Sequence, residues 1–126
     1  MKIETIRKSQ LPKTVVGFLD LMESDADWFI RTLEDFKQLV GSSKNPLSKL
    51  SAEVIEEFGQ KLIFRNGGLA GADYTMLVDK LTTEEFDTLW EYFGISKEYG
   101  KGQHNYECTG PGNCQSKASN YCTNNC

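Results

Sequence analysis

Residues 100–126 read Gly-Lys-Gly-Gln-His-Asn-Tyr-Glu-Cys-Thr-Gly-Pro-Gly-Asn-Cys-Gln-Ser-Lys-Ala-Ser-Asn-Tyr-Cys-Thr-Asn-Asn-Cys. The only aliphatic side chain in this stretch is Ala118, and the only aromatics are Tyr106 and Tyr121, so it cannot assemble a core of its own. Its Gly, Asn, Gln and Pro content opposes both helix and packed strand, which predicts a disordered Cys-rich tail. The fold is then expected from residues 1–99. The whole chain has 126 residues, 39% hydrophobic and 25% charged, a length that suits one core with an appendage.

Charge divides along the same line. Of 14 Lys and Arg only Lys101 and Lys117 lie beyond residue 99, and of 18 Asp and Glu only Glu107 does, which leaves the body at −5 and the tail at +1. An acidic body without a stripe of cations is a poor partner for nucleic acid, whose affinity comes largely from counterion release. No run of about 18 apolar residues is present to span a bilayer. The start, Met-Lys-Ile-Glu-Thr-Ile-Arg-Lys, meets charge too early for the apolar region of a secretory signal, so the chain as encoded is expected in the cytoplasm.

The body reads as an all-α bundle of about five short amphipathic helices. From Pro12 to Met22, the residues Val15, Phe18, Leu19 and Met22 recur at i, i+3, i+4, i+7. A second helix is expected from Ser24 or Asp25, carrying Phe29, Leu33, Phe36 and Val40 and stopping at Gly41. Ser51 caps a third, with Val54, Ile55, Phe58 and Leu62 inward and an end at Asn66-Gly67. Tyr74, Leu77, Val78 and Leu81 fit a fourth. Thr82 and Glu85 have the spacing of a capping box before a fifth, which carries Phe86, Leu89, Trp90 and Phe93 and closes at Gly94. Lys2 to Ile6 alternates briefly, as an added strand would. Trp28, Trp90 and the phenylalanines are expected in the core because they sit on apolar stripes.

The body offers no catalytic constellation. It has no Cys, and the only histidine is His104 in the tail, which removes the commonest general base and the commonest metal ligands. Carboxylates such as Glu56 and Glu57, or Glu84 and Glu85, are adjacent on a helix and point about 100° apart. Gly67-Gly68-Leu69-Ala70-Gly71 lacks the Lys-Ser/Thr ending of a phosphate loop and reads as a turn between helices. No enzyme and no cofactor are expected. An apolar groove on the bundle could still take a partner's strand or helix.

The tail carries all four cysteines, Cys108, Cys114, Cys122 and Cys126, and admits three chemistries. Metal binding through His104 and the thiols has the spacing H-x3-C-x5-C-x7-C-x3-C, without the close C-x2-C pair that zinc sites usually use. A disulfide framework has three connectivities and needs an oxidising compartment. The third chemistry follows from order: Ser119-Asn-Tyr-Cys122 and Thr123-Asn-Asn-Cys126 are consecutive S/T-x-x-C units, and Thr109 precedes Cys114 across Gly110-Pro111-Gly112. A dehydrated Ser or Thr is an electrophilic alkene, and a thiolate a few residues away can add to it intramolecularly to form a thioether. Cys108 and Ser116 are left over.

At these residues the layout resembles a precursor of a ribosomally synthesised and post-translationally modified peptide, most nearly a lanthipeptide precursor. The resemblance covers the tail and the leader–core division, not the body's own sequence. It implies a leader or recognition domain, 1–99, that docks on a maturation enzyme, and a core peptide, 100–126, modified at Cys108, Thr109, Cys114, Ser116, Ser119, Cys122, Thr123 and Cys126. It further implies release by a protease or exporter, with cleavage after Gly100 or Gly102, and an exported product. Tethering a flexible core to a docked leader would hold it at roughly millimolar effective concentration. The alternative is a cytoplasmic helical interaction protein whose Cys-rich tail binds metal or forms disulfides.

Overall fold

A computed structural model describes residues 8–42 and 45–126. The alternation at Lys2 to Ile6 lies outside the described residues. The all-α expectation is overturned: among the described residues five α-helices share the chain with a four-stranded antiparallel sheet, an α+β fold. The helices are α1 (Val15–Glu23), α2 (Leu33–Val40), α3 (Ala52–Gln60), α4 (Thr83–Glu91) and the single-turn α5 (Lys97–Gly100). The strands are β1 (Leu62–Arg65), β2 (Gly68–Asp73), β3 (His104–Gly110) and β4 (Asn113–Cys122), in the order β1-β2-β4-β3. Among the described residues no helix is long and apolar enough to cross a membrane.

Local chemistry explains where the helices begin. Thr14, Thr32, Ser51, Thr82 and Ser96 each accept a hydrogen bond from an N–H of the first turn, and Thr82 with Glu85 forms the full capping box. The second helix starts at Leu33 rather than at Ser24 or Asp25, because two of the carbonyls it would have used, those of Ser24 and Ala26, are claimed by one side chain. The Arg31 guanidinium donates to the carbonyls of Leu21, Met22, Ser24, Ala26 and Gly67 at 2.8–3.2 Å, and lies 4.3 Å over the Phe29 ring. That cage holds residues 24–32 as an irregular segment, fastened to the end of α4 by the Ile30 N–H donating to the Tyr92 carbonyl at 2.7 Å.

The third expected helix ends early, at Gln60, and the chain turns into β1. Asn66 and Gly67 are the two central residues of a hairpin turn, both with positive φ (49° and 82°), the conformation a type I′ turn demands. The glycine-rich run after them is therefore strand β2, paired Leu62 with Ala72 and Arg65 with Gly68. Side-chain-free positions matter there: a Cβ on Gly68 would collide with Met22, and one on Gly71 would press on Cys108 and the Tyr121 carbonyl, each at 3.0 Å. The fourth expected helix is only a 3-10 turn, Thr75–Leu77.

The tail is not disordered. It forms β3 and β4 around a turn at Pro111-Gly112, and β4 lies inside the sheet between β2 and β3. Pairing passes from Tyr106–Ser116 to His104–Tyr121, so residues 117–120 stand opposite Asn105 alone. This bulge bends β4 back on itself, with Asn105 and Ser119 in positive φ. The single core includes Phe18, Phe29, Phe36, Phe58, Trp90 and Phe93 from the helical segments, and Tyr121 from β4, which is 1% exposed. Trp28 is buried as expected, while Val15, Val16 and Leu19 of α1 remain exposed.

Candidate functional site

The four cysteines are paired with one another. Cys108 bonds Cys126 and Cys114 bonds Cys122, with Cα–Cα distances of 5.8 and 5.9 Å. No thiol remains free to add to a neighbouring hydroxyl residue. Thr123 is buried: its Oγ1 donates to the Leu69 carbonyl at 2.6 Å and accepts from the Asn125 N–H at 3.1 Å. Thr109 Oγ1 donates to the Asn113 carbonyl at 3.2 Å and accepts from its amide at 2.8 Å. Ser119 serves the bulge, its N–H donating to Asn105 Oδ1 at 3.2 Å and its carbonyl accepting from the Tyr74 N–H at 2.9 Å. Ser116 is exposed on β4 opposite Tyr106.

The two glycines named for cleavage differ sharply. Gly100 is buried at the end of α5, where a Cβ would collide with the Tyr121 hydroxyl, whereas Gly102 is exposed with open space around it. Ser96 to Lys101 forms the capped helix α5, with the Ser96 hydroxyl also donating to the Pro12 carbonyl at 2.6 Å.

Chemistry gathers around the one histidine. A cleft of about 430 Å³ is walled by Asp87 and Trp90 of α4, Lys97 of α5, Lys101, His104 at the start of β3 and Tyr121 of β4. His104 is half-buried, and the Tyr74 hydroxyl lies 3.0 Å from its Nδ1. Its ring stacks beside Phe86 and meets Tyr121 edge-on, with centroids 5.8 and 4.4 Å away. Burial pushes the imidazole pKa below its usual value, against the opposing pull of Asp87, so the ring is held neutral. Burial also raises the Tyr74 and Tyr121 phenols, the latter helped by neighbouring Tyr99, Tyr74 and Asp87, which keeps both protonated. The Trp90 indole N–H is buried and finds no acceptor, the one such side-chain group among the described residues. An unpaired buried donor costs about 1–3 kcal/mol.

A second groove, about 550 Å³, runs between α2 and α3 over Leu33, Phe36, Val40, Ile55 and Gly59. Its lining also includes Lys37, Glu56 and Gln60.

Sequence reasoning weighed His104 only as a metal ligand beside the thiols, because it stood in a stretch read as unfolded. The usable signal was Asn66-Gly67 between two short apolar runs, which marks a hairpin and hence a sheet for the tail to join. Against known proteins, the chain matches no family model, no curated protein and no solved structure.

Proposed function

We propose that this chain is a non-catalytic binding domain, locked by two disulfides and suited to an oxidising compartment, with the His104 cleft as its ligand site. The observation that carries the reading is the double duty of Tyr121, which is 1% exposed in the core and also walls the cleft. A segment so built in is architecture rather than an appendage. The cleft wall carries cations at Lys97 and Lys101 and acids at Asp87 and Glu98, beside the imidazole of His104. Partners of both signs around a small cavity suit a small zwitterion of the amino-acid kind better than a polyanion. No free thiol supplies a nucleophile, and the nearby Ser96 hydroxyl is committed to Pro12 and to the Tyr99 N–H, which favours binding over chemistry.

The modified-peptide precursor keeps one supporting observation. Both bridges close within residues 108–126, none crosses to the body, and Gly102 is exposed, so a cut there would free a bicyclic disulfide peptide.

One pair of experiments separates the two. Residues 1–102 produced alone should lose cooperative thermal unfolding if the domain reading holds; a cooperatively folded 1–102 would return the precursor reading. On the oxidised full chain, a panel of free amino acids followed by amide NMR should shift Lys97, Lys101 and His104 together, and His104→Ala should abolish the shifts. A panel that leaves these amides unmoved removes the ligand site.

A further inference from the structure

The bridges are neighbours, and their closeness has a chemical meaning separate from the cleft. The sulfurs of Cys108, Cys122 and Cys126 all lie within 4.8 Å of one another, and the sulfur of Cys114 is bonded to that of Cys122. Four sulfurs from four positions thus share one small volume. We propose that, once both disulfides are reduced, this cluster is a thiolate site for one soft divalent cation of the zinc class, held on the same fold.

Three observations support it. In a tetrahedral zinc thiolate the metal–sulfur bonds are about 2.3 Å, which sets the sulfurs about 3.8 Å apart. The Cys108 and Cys126 sulfurs are bonded and that of Cys122 lies within 4.8 Å of both, so once the bond opens the three need only small shifts to reach that spacing. Second, the backbone rather than the bridges alone brings the positions together. Cys108 pairs with Cys114 across β3 and β4, and Cys122 pairs with Gly71 of β2. The Gly112 N–H donates to the Cys126 carbonyl at 2.9 Å, and the Cys126 N–H to the Thr123 carbonyl at 3.1 Å. None of these bonds involves sulfur, so reduction does not itself break them, and the bound cation would replace the two bridges as the crosslink. The fold thereby supplies the proximity that C-x2-C spacing supplies elsewhere. Third, burial is graded: Cys114 is exposed, Cys108 and Cys126 are half-buried, and Cys122 is 1% exposed. The site has an open edge for entry and a closed floor that keeps water from competing.

The chemistry balances with a dithiol as reductant. Its thiolate attacks the exposed Cys114 sulfur, the Cys114–Cys122 bond breaks and Cys122 leaves as thiolate. The second thiol of the reductant then attacks the mixed disulfide, departs as its own cyclic disulfide, and leaves Cys114 reduced. A second dithiol does the same at Cys108–Cys126. Two dithiols are oxidised and four thiols appear; the entering cation displaces their protons to solvent. In the oxidised protein every sulfur is committed, so the two states exclude each other.

The test uses the full chain, reduced with a phosphine that is then removed under nitrogen, and titrated with Co²⁺ followed by Zn²⁺. Expected are one equivalent of Co²⁺ per chain with intense thiolate-to-cobalt absorption, its displacement by Zn²⁺, and no uptake by the oxidised chain. Cys122→Ser should weaken binding by at least about 100-fold, beyond what loss of a supporting contact does, while His104→Ala keeps the absorption. Near-ultraviolet circular dichroism of the Zn²⁺-loaded chain should match that of the oxidised protein. The proposal is overturned by a reduced chain without the charge-transfer band, by equal uptake in the oxidised chain, or by metal bound to a chain whose aromatic dichroism is lost.

Discussion

Residues 15–60 bury Phe18, Met22, Phe29, Phe36, Leu39 and Phe58 and contain no cysteine, whereas residues 104–126 bury one large aromatic, Tyr121, and hold two disulfides. The first region is held by apolar area, at roughly 25 cal/mol per Å² removed from water. The second has too little apolar material for that. It is fixed instead by crosslinks that lower the entropy of its unfolded state and by a single ring driven into the other region's core. The difference teaches that a polar, glycine-rich segment can belong to a fold when it lends one anchor and borrows the rest. Tyr121 touches Trp90 at 4.6 Å and Tyr74 at 6.4 Å between centroids, and Trp90 in turn meets Phe58 and Phe93.

If that contrast is right, the largest single effect should come from the anchor. Tyr121→Ala is expected to cost about 3–5 kcal/mol in urea unfolding, the range for truncating a buried aromatic. A cost under about 1 kcal/mol would mean that the hairpin folds beside the core rather than into it. Next come the crosslinks. Replacing Cys108 and Cys126 together by Ser opens a loop with a sequence separation of 18 and should cost about 3 kcal/mol, while the Cys114 and Cys122 pair, with a separation of 8, should cost about 2.5 kcal/mol. The order of the two double variants is the sharper test, since strain or residual structure in the unfolded chain would invert it.

The helical region has its own fastener, and Arg31→Met should cost about 2 kcal/mol by freeing carbonyls that a charged donor now satisfies. Thermal unfolding of that variant reads the loss directly, and an unchanged midpoint would assign the 24–32 segment to packing alone. The smallest effect is electrostatic. Because the folded state lowers the His104 pKa, the unfolded chain binds more protons once the pH drops below about 6.5, and stability falls from there down through the folded pKa. One proton limits the slope to about 1.4 kcal/mol per pH unit. Urea titrations at pH 7, 6 and 5 should show it, and His104→Gln should flatten it; a slope that persists in the variant belongs to other groups.

Much of the helical region was readable in the residues. Ser51, Thr82 with Glu85, and Gly41 mark ends of helices where those residue types are expected to, because capping is a local exchange of hydrogen bonds. The irregular stretch before α2 was not readable, since nothing in the order of residues says that Arg31 will reach back to four carbonyls and across to that of Gly67. The sheet was hidden for a related reason. Its strands lack alternation: β2 is mostly Gly and Ala because Met22, Cys108 and Tyr121 press against its backbone, and β4 is polar because six of its ten residues face solvent. Tail composition was correctly judged unable to make a core, but the inference from that to disorder ignored the core next door. The aromatic setting of His104 was lost with it, since it is built at once from Phe86 of α4, Tyr74 just after β2 and Tyr121 of β4.

The larger bridge also decides how this protein would bear load. Force applied at the two ends passes through the Cys108–Cys126 bond and skips the 17 residues between them, which stay slack. A molecule pulled taut between two surfaces should therefore come up about 60 Å shorter than its residue count allows, at the usual extended rise per residue. Adding a reductant during the pull would release that hidden length in two steps, because the Cys114–Cys122 bridge lies inside the loop and holds its own residues back until it too is cut.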